Sequence, residues 1–259
     1  MGRHDRGAGR FSCGRDFDSH VWKRKLEVVK SFSTRVSGSG GSGFDKWDEA
    51  AGGQQATHAL LGNHDYTGDA LARQSPAIRE VDSRWTSVNK SFIVEADIVD
   101  FFLVDTSPFV LKYWNESKFD WRNVAPRDTY IATLLQDLDD ALAASNATWK
   151  VVVDHHPVSS GCEHGHTTEL REHLLPVLKR ISSVDSPVEF VTSGGGSKAW
   201  AGKFKATTDK MEFLYDGQGF LSMELTAAEA RLAFYDVSGA VLHSWGLAKS
   251  APASISNVS

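Results

Sequence analysis

With two cysteines in 259 residues, Cys13 and Cys162, the chain has too few, set too far apart, for a disulfide framework or a CxxC metal or redox motif. Both read as free thiols. Nor is there an apolar run near the roughly 20 residues that a membrane-spanning helix requires, so no helical membrane role is expected. The opening stretch MGRHDRGAGRFSCGRDFD has no apolar segment of the kind a signal peptide carries, which by itself points to the cytoplasm. Positive charge is also short. Against 33 Asp and Glu stand 28 Lys and Arg, a formal net charge of −5, so there is no electrostatic footprint for nucleic acid. A Gly-X-Ser-X-Gly strand–turn–helix is missing as well, which sets aside a serine hydrolase. One feature points the other way on compartment. Asn89, Asn115, Asn146 and Asn257 each begin an Asn-X-Ser/Thr triplet, a glycan acceptor in a secreted protein.

What is present divides the chain unevenly. Residues 1–55 hold a stretch, KRKLEVVKSF, compatible with a short helix, followed by the Gly/Ser-rich STRVSGSGGSGFDKWDEAAGGQQ, a linker composition. This region is expected to be poorly ordered. Residues 56–248 then read as one domain of alternating strands and helices, and 249–259 as a flexible tail. The length suffices to bury roughly three quarters of the unfolded surface. THALLGNHD reads as a buried strand entering a tight turn, and SFIVEADIVDFFLVDTS as two strands meeting near Glu95 to Asp97. PRDTYIATLLQDLDDALAAS puts Ile131, Leu134, Leu135, Leu138, Ala141 and Leu142 on one helical face, opening at Pro126. TWKVVVDHHP is a continuous β-branched run, the pattern of a strand buried on both faces, and TTELREHLLPVLKR is a second amphipathic helix. PVEFVTSGGGSKAW and the segments from Met211 to Trp245 read as further strands with Gly turns, ending in an antiparallel meander. The fold class is α/β, with helices outside β layers.

The chemistry-bearing residues sit at strand ends, where α/β proteins place their sites. Asn63 offers a neutral carbonyl oxygen able to bind a cation, and His64 beside it can donate to an anionic oxygen; a plain turn is the competing reading of Asn63, His64 and Asp65. His155 and His156 close the β-branched strand, where an imidazole can ligate Zn or Fe; otherwise one caps the strand and the other is solvated. His164 and His166 lie in a loop before a helix N-terminus, a place for a proton donor or a phosphate contact.

Taken together, LLGNHDYTGD, DSRW, SFIVEADIVDFFLVDTSPFV, VVVDHHPVSSGCEHGHTTELREHLLPVLK and FVTSGGGSKAW with MEFLYDGQGFLSMELT and FYDVSGAVLHSW resemble the small purple acid phosphatases of plants, in the calcineurin-like metallophosphoesterase superfamily. The resemblance runs from about Ala59 to Trp245. It implies a β-sandwich flanked by helices, and a dinuclear centre of Fe(III) with a divalent Zn, Mn or Fe. It also implies hydrolysis of small phosphate monoesters at acidic pH by a metal-bound hydroxide, in a secreted or vacuolar setting. By motif, Asn63 and His155 would be metal ligands, His64 and His164 the catalytic histidines that contact phosphate and assist the leaving group, and Asp65 would orient His64.

The chain also departs from that pattern. The family's Asp-X-Gly and Gly-Asp-X-X-Tyr motifs have no counterpart in residues 1 to 58, where Asp16 and Asp18 are a faint echo; a rebuilt site would need Asp16, Asp18 or His20 to reach the Asn63 and His155 end of the sheet. After VLKR the sequence passes directly to ISSVDSPVEF, without the strand that ends in Gly-His-Asp-His, so one core strand is expected to be missing. Asp154 stands where a glycine is expected before His155. These departures suit a truncated or mis-spliced product, and they keep open a second reading: a catalytically silent relative acting in binding or regulation.

Overall fold

The computed structural model describes residues 31–32, 57–83, 85–87, 89–161, 165–182, 188–195, 202, 204 and 211–249. Expectations for Asp16, Asp18, His20, Cys13, Cys162, His164 and the 250–259 tail lie outside the described residues, as do those for all of residues 1–55 but Ser31 and Phe32.

The first elements are short. Strand β1 (Ser31–Phe32) pairs antiparallel with β2 (Thr57–Ala59), so these two residues are extended, unlike the helix expected for KRKLEVVKSF. Backbone pairing with β2 outweighs the helical periodicity there. Past β2, Asn63–Thr67 and Ala70–Gln74 form two 3-10 helices, then α1 (Pro76–Val81) leads to β3 (Trp85–Thr86), which pairs parallel with β2.

The expected hairpin is β4 (Phe92–Ala96) against β5 (Val99–Val104), turning where the sequence placed it. Helix α2 (Leu111–Trp114) and the long α3 (Arg127–Ala144) follow, then β6 (Trp149–Asp154), which lies parallel to β5 in register Val104 to Asp154. Parallel neighbours need a crossover, and α3 supplies it. Helix α4 (Thr168–Arg180) precedes the antiparallel meander β7 (Gly219–Leu225), β8 (Glu229–Asp236) and β9 (Val241–Ala248).

Strand β5 is the centre of the molecule because its alternating side chains serve two cores. Phe102 and Val104 pack under α3 and α4 with Ile131, Leu138, Leu142, Leu170 and Leu174. Val99, Phe101 and Leu103 point the other way, against Leu225, Ala230 and Leu232 of the meander. The layers therefore run helices, mixed sheet, antiparallel sheet. Burying each such aliphatic side chain is worth about 1.5–3 kcal/mol.

Two expectations change. Strand β6 is only half-buried, with Val152 turned to the helices and Val151 and Val153 to the meander, because among the described residues it is hydrogen-bonded to β5 alone. Residues 188–195, read as a strand from PVEFVT, have no regular structure, with Phe190 47 % exposed: an apolar run without a pairing partner forms no ladder. Among the described residues, no strand lies between α4 and β7.

Candidate metal and phosphate site

The site forms where the chain leaves β2 and β6. After β2 it runs on through buried Leu60 and Leu61 into the 3-10 turn Asn63–Thr67, while His155 follows the last residue of β6. There His155 Nε2 and Asn63 Oδ1 come within 2.9 Å. Residues 92 apart in sequence thus meet as the motif reading expects. Asn63 is buried, whereas His64 and His155 are half-buried at the surface of the site.

Close approach explains the glycine before the triplet. A Cβ on Gly62 would lie 2.8 Å from His155 Cε1, so only a bare backbone lets the imidazole pack there. Gly62 also caps the 3-10 turn, its N–H donating to Asp65 Oδ2 at 2.7 Å. The other carboxylate oxygen, Asp65 Oδ1, sits 2.5 Å from Arg73 Nε. Asp65 therefore braces its own turn against Arg73, beyond the role of orienting His64 expected from the motif. Burial lifts the Asp65 carboxyl above its ordinary value, and the Arg73 charge acts against that lift.

His155 and His156 part company. His156 turns into the core, where its backbone N–H donates to Thr106 Oγ1, its Nδ1 lies 2.9 Å from the same hydroxyl and its Nε2 lies 3.2 Å from the Tyr113 hydroxyl. Its ring stands edge-on to that of His155 at 4.7 Å, so the buried histidine backs the one at the site. Of the pair, His156 is the buried one and His155 the half-buried one.

Behind the turn lies a buried carboxylate that sequence reasoning passed over. Asp105 follows β5, is fully buried, accepts from the Tyr66 hydroxyl and takes the Ser107 N–H at 3.1 Å. Tyr66 belongs to the Asn63–Thr67 turn, so this bond ties the turn to the central strand. Burial raises the Asp105 carboxyl to about 7, against the lowering effect of Tyr66, Ser107 and Lys90. The same burial, with Asp105 beside it, pushes the Tyr66 phenol far above its usual range. No spacing in the sequence marks this pair; the VDTS end of a strongly apolar strand was the only available sign.

On the loop after β6, His166 Nδ1 accepts from the Ser160 N–H at 3.1 Å, and Arg171 of α4 donates to the Val158 carbonyl and Ser159 Oγ. His166 is thus a brace of the loop base.

As a metal site, the geometry fits in part. Donors on one ion with bonds of roughly 2.1 Å at right angles stand about 3 Å apart, and Asn63 Oδ1 and His155 Nε2 match that separation. Among the described residues no group of three His, Cys, Asp or Glu converges to hold a metal. The pair fits part of the shell of one divalent ion; the described residues do not make up a dinuclear centre.

Comparison with known proteins agrees with the fold. The chain is 48 % identical over 213 residues to purple acid phosphatase 3 of Arabidopsis thaliana, covering 74 % of this chain and 58 % of that protein. For purple acid phosphatase 17 of the same plant the identity is 44 % over 218 residues, covering 76 % and 64 %. Human tartrate-resistant acid phosphatase type 5 is 26 % identical over 212 residues, covering 70 % and 64 %. The chain thus spans about three fifths of the length of these relatives. Among solved structures, GAP50, the anchor in the inner membrane complex of Plasmodium, matches with a TM-score of 0.55 at 19 % identity, over 74 % of this chain and 66 % of that one, which supports the fold alone. The family model described as calcineurin-like phosphoesterase matches residues 38–185, more than half of the sequence and the part that builds β2 through α4 with both Asn63 and His155. On this evidence the chain belongs to the calcineurin-like phosphoesterase family.

Proposed function

We propose that this chain is a phosphomonoester hydrolase of the purple acid phosphatase type, acting on small phosphate esters in acid. The observation that carries the reading is the meeting of Asn63 Oδ1 and His155 Nε2 at strand ends, with His64 next to them.

In this reading Asn63 and His155 hold one divalent ion, Zn, Mn or Fe. Such an ion would polarise a phosphoryl oxygen and neutralise its charge. The Fe(III) partner implied by the family resemblance has no ligand set among the described residues. Asn63 brings a donor oxygen without adding negative charge, so the site remains attractive to a phosphate dianion. His64 projects from the same turn and donates a hydrogen bond to a phosphoryl oxygen. His164, four residues before α4 in the sequence, is assigned the protonation of the departing alcohol. Tyr66 and Asp105 hold the turn still beneath them, and His156 keeps the His155 ring in place. In this reading the catalytic domain is residues 56–248, with residues 1–55 as a divergent N-terminal region and 249–259 as a tail. We infer a secreted or vacuolar setting, since Asn89, Asn115 and Asn146 are all exposed and accessible to glycosylation.

The test is metal content per chain by plasma mass spectrometry, with p-nitrophenyl phosphate turnover measured on the same sample in acid. Bound metal with turnover lost in Asn63→Ala supports the assignment. A folded, metal-free and inactive chain refutes it and favours the silent, binding or regulatory relative.

A further inference from the structure

Arg73 is a largely buried cation that the proposed chemistry leaves unused. It lies in the second 3-10 helix, Ala70–Gln74, outside the triplet turn, and its side chain is 20 % exposed. Its Nε faces Asp65 Oδ1 at 2.5 Å, and its Nη1 donates to the Leu60 carbonyl at 3.2 Å. Asp65 in turn holds the Gly62 N–H. One planar guanidinium therefore grips the chain on both sides of Asn63 and His64: before them at Leu60, after them at Asp65. Arg73 is itself anchored, its carbonyl accepting from Trp85 Nε1 at 3.1 Å. A flexible lysine ammonium would be a poor substitute, since a point charge does not present two donors in a fixed fork.

We propose that Arg73 is a positioning residue for the site, setting where the Asn63–His64 turn stands relative to His155. This rests on the proposed function only for its catalytic consequence; the positioning itself does not depend on turnover.

The experiment uses the full chain, as wild type, Arg73→Gln and Arg73→Lys, with two readouts. The first is the imidazole signals of His64, His155, His173 and His243 in two-dimensional NMR, with thermal melting on the same samples. The expected result is that His64 and His155 signals move or broaden in Arg73→Gln and move less in Arg73→Lys, while those of His173 on α4 and His243 on β9 stay fixed. If both site histidines keep their wild-type signals in folded variants while the melting temperature drops, Arg73 serves stability alone and the inference is overturned. Should Arg73→Gln fail to fold, Arg73→Met, which keeps the bulk of the stem without a donor, decides by the same criterion. The second readout is kcat/KM for p-nitrophenyl phosphate, expected to fall on the order of 10- to 100-fold with the loss mainly in kcat, the range seen when residues that orient a site are removed. A wild type without turnover counts against the proposed function, and the NMR result then still decides for or against Arg73.

Discussion

Asp105 should make this protein less stable as the pH rises from about 4 to 7, the reverse of ordinary acid lability. The group is 0 % exposed, and burial lifts its carboxyl from 3.8 to about 7. In the unfolded chain the same carboxyl loses its proton near 3.8, so across that interval the native state holds a proton that the unfolded state has given up. Where the native state binds more protons, stability falls with rising pH. The stabilisation is complete below 3.8 and is lost as the pH climbs through the folded value. A separation of about 3 pH units at 1.36 kcal/mol per unit amounts to about 4 kcal/mol by pH 7. That is a large share of the roughly 5–15 kcal/mol that holds a typical domain folded. The assay is the urea midpoint at half-unit steps from pH 4 to 7 and constant ionic strength, on wild type and Asp105→Asn. The amide keeps an acceptor for the Ser107 N–H but does not titrate. Asp65, also raised by burial, slopes in the same direction, and His58, lowered by burial, in the opposite one. The difference between the two proteins cancels both. A difference that stays constant over the whole range would refute the reasoning, since it would mean that Asp105 titrates alike in both states.

Removing the phenol with Tyr66→Phe deprives the buried Asp105 of the hydroxyl that donates to it and should destabilise by about 1–3 kcal/mol in urea titrations. Gly62→Ala drives a methyl into the space of the His155 ring; it should cost about 1–3 kcal/mol and lower metal uptake, measured by plasma mass spectrometry. Thr106→Val keeps the shape of the side chain but strips both bonds to His156, so a loss of about 1–3 kcal/mol is expected by thermal denaturation, with the His156 ring signal displaced in NMR.

The parts that could be read from the sequence are those with a local period. Ile131, Leu138 and Leu142 repeat as a helix does and are buried as one face of α3, and the polar break at Glu95 to Asp97 falls at the β4–β5 turn. Asn63 and His155 were visible as motif residues, and the structure brings them together. What stayed hidden was set by tertiary closure. The Tyr66–Asp105 bond joins residues 39 apart, and Arg73 reaches Leu60 across 13, with no repeat to announce either. Val188 to Thr192 shows the opposite failure: the composition suits a strand, but a strand also needs a neighbour, and composition says nothing of neighbours. Likewise Val151 to Val153 reads as a fully buried run, yet its burial depends on how many strands flank it.

The pairing of β5 with β6 carries a choice between two adjacent, chemically identical side chains. With Val104 opposite Asp154, His155 faces Asn63 and His156 enters the core beside Thr106 and Tyr113. A slip of one residue would exchange them, presenting His156 to the site and His155 to the interior. It would also swing Lys150, whose Nζ reaches the Leu142 carbonyl on the helix side, into the apolar seam between the sheets. The lysine thus guards the register: an error of one step would carry its charge from the helix side toward an apolar seam, and that cost favours the pairing in which His155, not His156, faces Asn63.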